Sequence, residues 1–147
     1  MNMTEQQKIR LCVVSKMADT EGNAFETKNA HRGLMNALAD GFELEYDDEQ
    51  EGERAHIVLS VHMGENEREN WAKMNRRGMM SGKLMFRPGE RIAGSYVTIY
   101  GEIPVAVDTR RVLVERSADG GRLTLDYDVY MGGERTSCAV MEITWRA

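Results

Sequence analysis

The sequence predicts an all-β protein, a single antiparallel sheet of roughly eight to ten strands closed into a barrel, with residues 1–147 forming one domain. Three observations carry this expectation. Stretches that alternate apolar and polar residues recur along the chain. The cleanest is Leu123–Met131, where Leu123, Leu125, Tyr127, Val129 and Met131 face one way and Arg122, Thr124, Asp126 and Asp128 the other. Turns containing glycine separate the stretches. No segment reads as a crossover helix of the length parallel strands need, and an antiparallel meander hides its edges most simply by closing on itself.

Taken in order, Ile9–Met17 alternates Ile9, Leu11 and Val13 against Arg10, Cys12, Val14 and Lys16, as an opening strand does. The polar stretch Ala18–Lys28 interrupts the pattern. Asn29–Leu38 is ambiguous, because Leu34, Met35 and Leu38 sit at helical spacing while Asp40-Gly41 followed by Phe42, Leu44 and Tyr46 has the form of a hairpin. The hairpin is the reading adopted, with Asp47–Glu53 as an acidic loop closing it. Ala55–Met63 places Ile57, Leu59, Val61 and Met63 on one face and His56, Ser60 and His62 on the other.

After a turn at Gly64, the stretch 65–77 is again open between strand and helix, with good helix formers around Trp71 and Met74. A short strand Lys83–Phe86, a turn at Pro88-Gly89 and a strand Arg91–Tyr100 come next. Ile103, Val105 and Val107 share a face that Val112 and Val114 continue in the opposite phase, so an extra residue, a bulge, is expected within Asp108–Arg111. Pro104 lies one step inside this strand, where an edge tolerates it. Gly120-Gly121 forms the bend before Leu123–Met131, and the last strand is Ser137–Trp145 with Ala139, Met141, Ile143 and Trp145 inward.

A chain of 147 residues buries roughly 70% of its unfolded surface, enough for one real core. Neither an N-terminal apolar run of signal-peptide length nor a bilayer-spanning one is visible, which leads to the expectation of a soluble cytoplasmic protein with no membrane partner. The net charge of −5 disfavours phosphate backbones, so no nucleic-acid partner is expected. Arg76-Arg77 with Lys73, Lys83 and Arg87 lie close in sequence to Glu65, Glu67 and Glu69 and read as a solvated strand face. Cys12 and Cys138 have no zinc-ligand spacing and read as free thiols. Pairing of the first strand with the last would make them neighbours on the outside.

The run Tyr96-Val-Thr-Ile-Tyr-Gly-Glu-Ile-Pro-Val-Ala-Val-Asp-Thr-Arg-Arg-Val resembles the signature of the YwiB-like family of small bacterial proteins of unknown function. Arg76-Arg77-Gly78, Phe86, Gly89 and Tyr127-Asp-Val-Tyr-Met-Gly-Gly are similar to that family's pattern as well. The resemblance covers residues 73–146 well and is looser before them, through Gly33, Gly41 and Tyr46-Asp47. It implies a calycin-like (lipocalin-type) β-barrel and carries over no catalytic residue.

No catalytic, cofactor or metal site emerges from the residues themselves. His56 and His62 share a strand face but lie six residues, about 20 Å, apart, and the histidines read as exposed. Glu43, Glu45 and Asp47 read as the polar face of an edge hairpin, and Asp47–Glu53 does not match a calcium loop. The serines lack a nucleophile elbow, and Cys12 has no motif that would lower its pKa.

One constellation remains. Tyr96, Thr98 and Tyr100 alternate with Val97 and Ile99. With the tyrosines inward, Arg76, Tyr96, Thr98, Tyr100, Thr109 and Tyr127 line a ligand cavity or fill a core; with them outward, they form a partner surface. Eleven methionines suit an adaptable interior. The function expected is a non-enzymatic binding barrel for a small apolar or amphipathic ligand. The alternative is a solid barrel that homodimerises or binds another protein.

Overall fold

The structure, a computed structural model, describes residues 6–50 and 52–147. Ten strands make up the sheet: β1 (Gln6–Asp19), β2 (Ala24–Leu38), β3 (Gly41–Gln50), β4 (Glu53–His62), β5 (Trp71–Gly78), β6 (Ser81–Phe86), β7 (Arg91–Thr98), β8 (Gly101–Arg116), β9 (Gly120–Met131) and β10 (Glu134–Arg146). All are antiparallel. Each pairs with its neighbours in sequence, and β1 pairs with β10 to close the barrel, so no strand between them is an edge. No helix among the described residues is long and apolar enough to cross a membrane.

The register of the seam, with Leu11 opposite Trp145 and Val13 opposite Ile143, puts the apolar phases of β1 and β10 on the same inner face. The bulge falls where the change of phase requires it. The β8–β9 register shifts between Thr109 and Arg111, leaving Arg110 as the extra residue, and its side chain reaches Asp126 Oδ1 at 2.6 Å and Asp128 Oδ1 at 2.7 Å outside the barrel. Pro104 is exposed, at a level of β8 that pairs with β7 alone.

Of the two ambiguous stretches, Asn29–Leu38 is strand and pairs with β3, as the adopted hairpin has it, and 65–77 is strand from Trp71 onward. The helical spacing of Leu34, Met35 and Leu38 is a coincidence of side-chain type: β2 is strand from Ala24 onward, held by β1 along its polar half, so tertiary pairing outweighs local composition. Within 65–77 only Glu67–Glu69 forms a single 3₁₀ turn, capped by the Asn66 side chain accepting from the Arg68 N–H, before β5 begins. Other expectations from sequence need correction. The acidic segment 47–53 is mostly strand, because β3 and β4 remain paired as far as Gln50 and Glu53; Glu51, like Met1–Glu5, lies outside the described residues. Cys12 sits opposite Thr144 and Cys138 opposite Ala18, so six strand residues, about 20 Å, separate the two free thiols.

The outer acidic face of β3 is built around an imidazole. His56 approaches Asp47 Oδ1 with Nδ1 at 2.8 Å and Glu45 Oε1 with Nε2 at 3.0 Å. Both ring nitrogens face carboxylates, so only the protonated ring donates to both. Its pKa is raised, chiefly by the hydrogen bond to Asp47; desolvation, the next largest effect, opposes the rise, and the hydrogen bond to Glu45 adds to it. A raised folded-state value means stabilisation that is complete below the unfolded value of about 6.5 and is lost as pH rises through the folded one. His56→Gln is therefore expected to lower the unfolding midpoint more at pH 5.5 than at pH 8.5. Parallel thermal melts of the two proteins check this.

The interior divides into two halves. At the end that carries the β2–β3, β4–β5, β6–β7 and β8–β9 connections, Phe42, Leu44, Leu59, Val61, Phe86, Leu123, Ile143 and Trp145 pack to near-complete burial. Phe42 and Trp145 meet with ring centroids 5.0 Å apart. The β4–β5 connection reaches over to β8 at this end: buried Asn70 donates to the Val112 carbonyl at 3.0 Å, and Arg111 grips Glu67 through two hydrogen bonds. The other end, where the β1–β2, β3–β4, β5–β6, β7–β8 and β9–β10 hairpins turn, is open.

Candidate functional site

The open half contains a chamber of about 230 Å³ whose wall is drawn from strands all round the barrel, including Val13, His31, Tyr46, Asp48, Met74, Arg76, Gly82, Tyr96, Tyr127 and Met141. It exists because several inward positions here carry small or polar residues where the closed end carries bulky apolar ones. On β1 and β2 these are Ser15, Thr27 and Asn29. On β6 the inward residue is Gly82, cross-strand from Tyr96, and a Cβ there would come within 2.6 Å of the tyrosine ring. Glycine thus allows the ring to lie flat along the wall. Tyr127 is braced from the closed end by Phe86, edge to face at 4.9 Å.

Charge enters the chamber through Arg76 and Asp48. Arg76 takes the inward phase of β5 after Ala72 and Met74, and Asp48 that of β3 after Phe42, Leu44 and Tyr46. Their side chains are 26% and 11% exposed and approach to 3.7 Å, while Arg76 Nε donates to the Met80 carbonyl at 3.2 Å. His31 Nε2 lies 4.0 Å from Asp48 Oδ1, and its ring packs on Tyr46 with centroids 4.8 Å apart.

Burial pushes the Tyr46 phenol up to about 12, with Asp48 adding to the rise and the Arg76 cation opposing it. Tyr96 and Tyr127 are raised as well, each mainly by burial. All three are therefore protonated donors at neutral pH, and none of their hydroxyls hydrogen-bonds to a described residue. The chamber offers a guanidinium and three phenol donors beside Met74, Met80 and Met141.

Of the residues singled out from sequence, the chamber brings together Arg76, Tyr96 and Tyr127. The other three lie elsewhere. Thr98 ends β7, where Oγ1 donates to the Gly101 carbonyl and accepts from the Tyr100 N–H, each at 3.1 Å, and so shapes the turn. Tyr100, in that turn, is 93% exposed. Thr109 is buried beside the bulge, opposite Tyr127, and does not line the chamber.

Sequence reasoning missed Tyr46, Asp48 and His31. Asp48 was within reach, since the alternation Phe42, Leu44, Tyr46 extended by one step ends on it. His31 needed the β1–β2 register, which places it opposite Leu11, and it is half-buried inside the barrel instead of exposed on its surface. Among the described residues no group of three or more His, Cys, Asp or Glu is arranged to hold a metal ion.

Comparison with known proteins agrees with this architecture. No curated protein matches the chain. The crystal structure of the ywiB protein from Bacillus subtilis superposes with a TM-score of 0.83 at 20% identity, covering 97% of this chain and 92% of that one. At this identity the likeness establishes the shared barrel. A family model described as a domain of unknown function, DUF1934, matches residues 12–143, from β1 into β10. The resemblance to YwiB-like proteins read from Tyr96–Val112 and Tyr127–Gly133 is borne out, and the chain belongs to the DUF1934 family.

Proposed function

We propose that the barrel is a binding protein that holds one small amphipathic molecule in the chamber at its open end. The observation that supports this most directly is the pairing, within about 230 Å³, of a methionine-lined wall with phenol hydroxyls that hydrogen-bond to no described residue. Phenols held protonated by burial are poor nucleophiles and good donors, which favours recognition over reaction. The volume exceeds the roughly 150 Å³ that accepts benzene and falls short of the roughly 300 Å³ at which drug-sized sites begin. The fitting ligand is thus a single ring or short chain with a polar end toward Arg76, and a long fatty acid is too large. Burying about 200 Å² of ligand contributes about 5 kcal/mol before entropic losses, so dissociation constants of about 0.2 mM or weaker are expected.

Titration with a panel of small aromatic carboxylates, benzoate among them, followed by NMR, tests the reading. Tyr96→Ala is expected to weaken binding tenfold or more, and Tyr100→Ala less than twofold. Saturable one-to-one binding that is insensitive to Tyr96→Ala, or none across the panel, would reject it.

A second reading has an observation of its own. The tip of the β7–β8 hairpin exposes Val97, Ile99, Tyr100 and Ile103, Ile99 at 73%, and residues 101–105 of β8 pair only with β7. An apolar tip with an open strand edge suits a homodimer. Sedimentation at rising protein concentration tests it, with dimer formation lost in Ile99→Asp as the expected result.

A further inference from the structure

We propose that the outer wall near the closed end carries a second binding site, for a small oligophosphate, built on a cross-strand row of three arginines. Arg32 on β2, Arg10 on β1 and Arg146 on β10 are consecutive partners in the sheet, Arg10 lying directly opposite both of the others. All three are exposed on the outer face, and none has a carboxylate within ion-pair distance among the described residues. Adjacent strands lie about 4.8 Å apart, so the row presents three guanidinium groups along about 10 Å of rigid wall.

Like charges directly opposite one another destabilise a sheet. Elsewhere on this barrel Arg122 lies opposite Glu115 and Arg91 opposite Asp108, and where Asp108 also lies opposite Asp128 the two carboxylates are met by Arg91 and Arg110. Continuing the β2–β3 register beyond Arg32 leads to Asp47, whose carboxylate is engaged by His56. At the other end the row runs into Gly120, opposite Arg146. The concentration of unrelieved positive charge occurs on a protein whose net charge is −5.

The surroundings of the row form a place for a ligand to sit. Beside it runs a second cross-strand line of small side chains, Ala30, Cys12 and Thr144. Together with Gly120 and Gly121 these floor an open groove of about 1020 Å³ that Arg10, Arg116 and Arg146 border. A Cβ at Gly120 would collide with the Trp145 carbonyl, so the floor there stays bare for packing reasons. Two side-chain carboxylates also border the groove, Glu115, which is occupied by Arg122, and Asp119, and Ala147 lies beside them. Planar guanidinium groups recognise phosphoryl oxygens bidentately, and several on adjacent strands match a ligand with more than one phosphoryl group better than a single monoanion. This site lies on the outside wall, separate from the mouth chamber, and does not depend on it.

The test uses the whole chain with pyrophosphate as probe, measured by isothermal titration and by thermal unfolding at ionic strength matched with sodium chloride. Pyrophosphate is expected to bind saturably and raise the unfolding midpoint beyond the chloride control. Arg10→Gln and Arg146→Gln are each expected to weaken binding at least tenfold while leaving the ligand-free midpoint unchanged or higher, since either removes repulsion. Arg54→Gln, on the exposed β3–β4 hairpin, is expected to bind normally. A stabilisation that chloride reproduces, binding unaffected by both variants, or ligand-free midpoints lowered in both would overturn the proposal. Retention on vesicles containing phosphatidylinositol phosphate without any response to pyrophosphate would overturn the assignment to a free small ligand.

Discussion

Phe42→Ala is expected to lower the free energy of unfolding by about 3–5 kcal/mol, the range for removing a fully buried phenylalanine. Phe42 is completely inaccessible, lies against Trp145 with ring centroids 5.0 Å apart, and has the Arg116 guanidinium 5.1 Å from its own centroid. The ring ties β3 to β10 across the packed end of the barrel, strands that are not neighbours in the sheet. Its removal leaves a hole that a closed sheet, fixed by pairing on both sides of every strand, cannot collapse to fill. For a domain of about 150 residues the loss corresponds to roughly 10 °C or more in the unfolding midpoint. Tyr100→Ala, at 93% exposure on the opposite end, is expected to change stability by no more than about 0.5 kcal/mol. Denaturant titration of both variants reads the contrast directly. Equal losses would mean that the stabilising core is not concentrated at the closed end.

The division between the two ends also governs what the sequence could reveal. Period-two alternation reports which residues face inward when those residues are apolar, and the closed end consists of such residues. Leu123, Leu125, Ile143 and Trp145 were therefore legible without a structure, as was the extra residue near Arg110, because a change of phase along one strand has no other economical cause. At the open end the inward residues are polar, and the same pattern becomes invisible: His31 reads as exposed and Asp48 as part of an acidic loop, though both line the chamber. Arg76 was found through its family resemblance more than through its pattern. The arginine row is illegible for a different reason. Arg10, Arg32 and Arg146 lie on three strands from opposite ends of the chain, and only the closure of β10 onto β1 brings them together. The basic cluster that sequence proximity did suggest is divided by the pleat, with Arg76 turned into the chamber and Arg77 exposed outside.

The pleat that turns Arg76 inward also commits the chamber to its internal ion pair, and the second large effect is expected there. Arg76→Met removes the cation 3.7 Å from Asp48, whose side chain is only 11% exposed and has the His31 ring nitrogen 4.0 Å away. Breaking a buried pair from one side costs about 3–5 kcal/mol, and because Arg76 retains 26% exposure a loss of about 2–3 kcal/mol is expected. The penalty comes from attraction lost at a carboxylate shielded from solvent, so Asp48→Asn in the same molecule is expected to recover more than half of it. The double-mutant cycle should give a coupling energy of at least about 1 kcal/mol. Simple additivity of the two substitutions would mean that the carboxylate is stabilised independently of Arg76. In that case the guanidinium is held mainly by the Met80 carbonyl and is free to face a ligand. A strong coupling instead means that a ligand's polar end must compete with Asp48 for the same guanidinium, which selects for anionic groups and makes Asp48→Asn a variant expected to bind small carboxylates more tightly than the native chain.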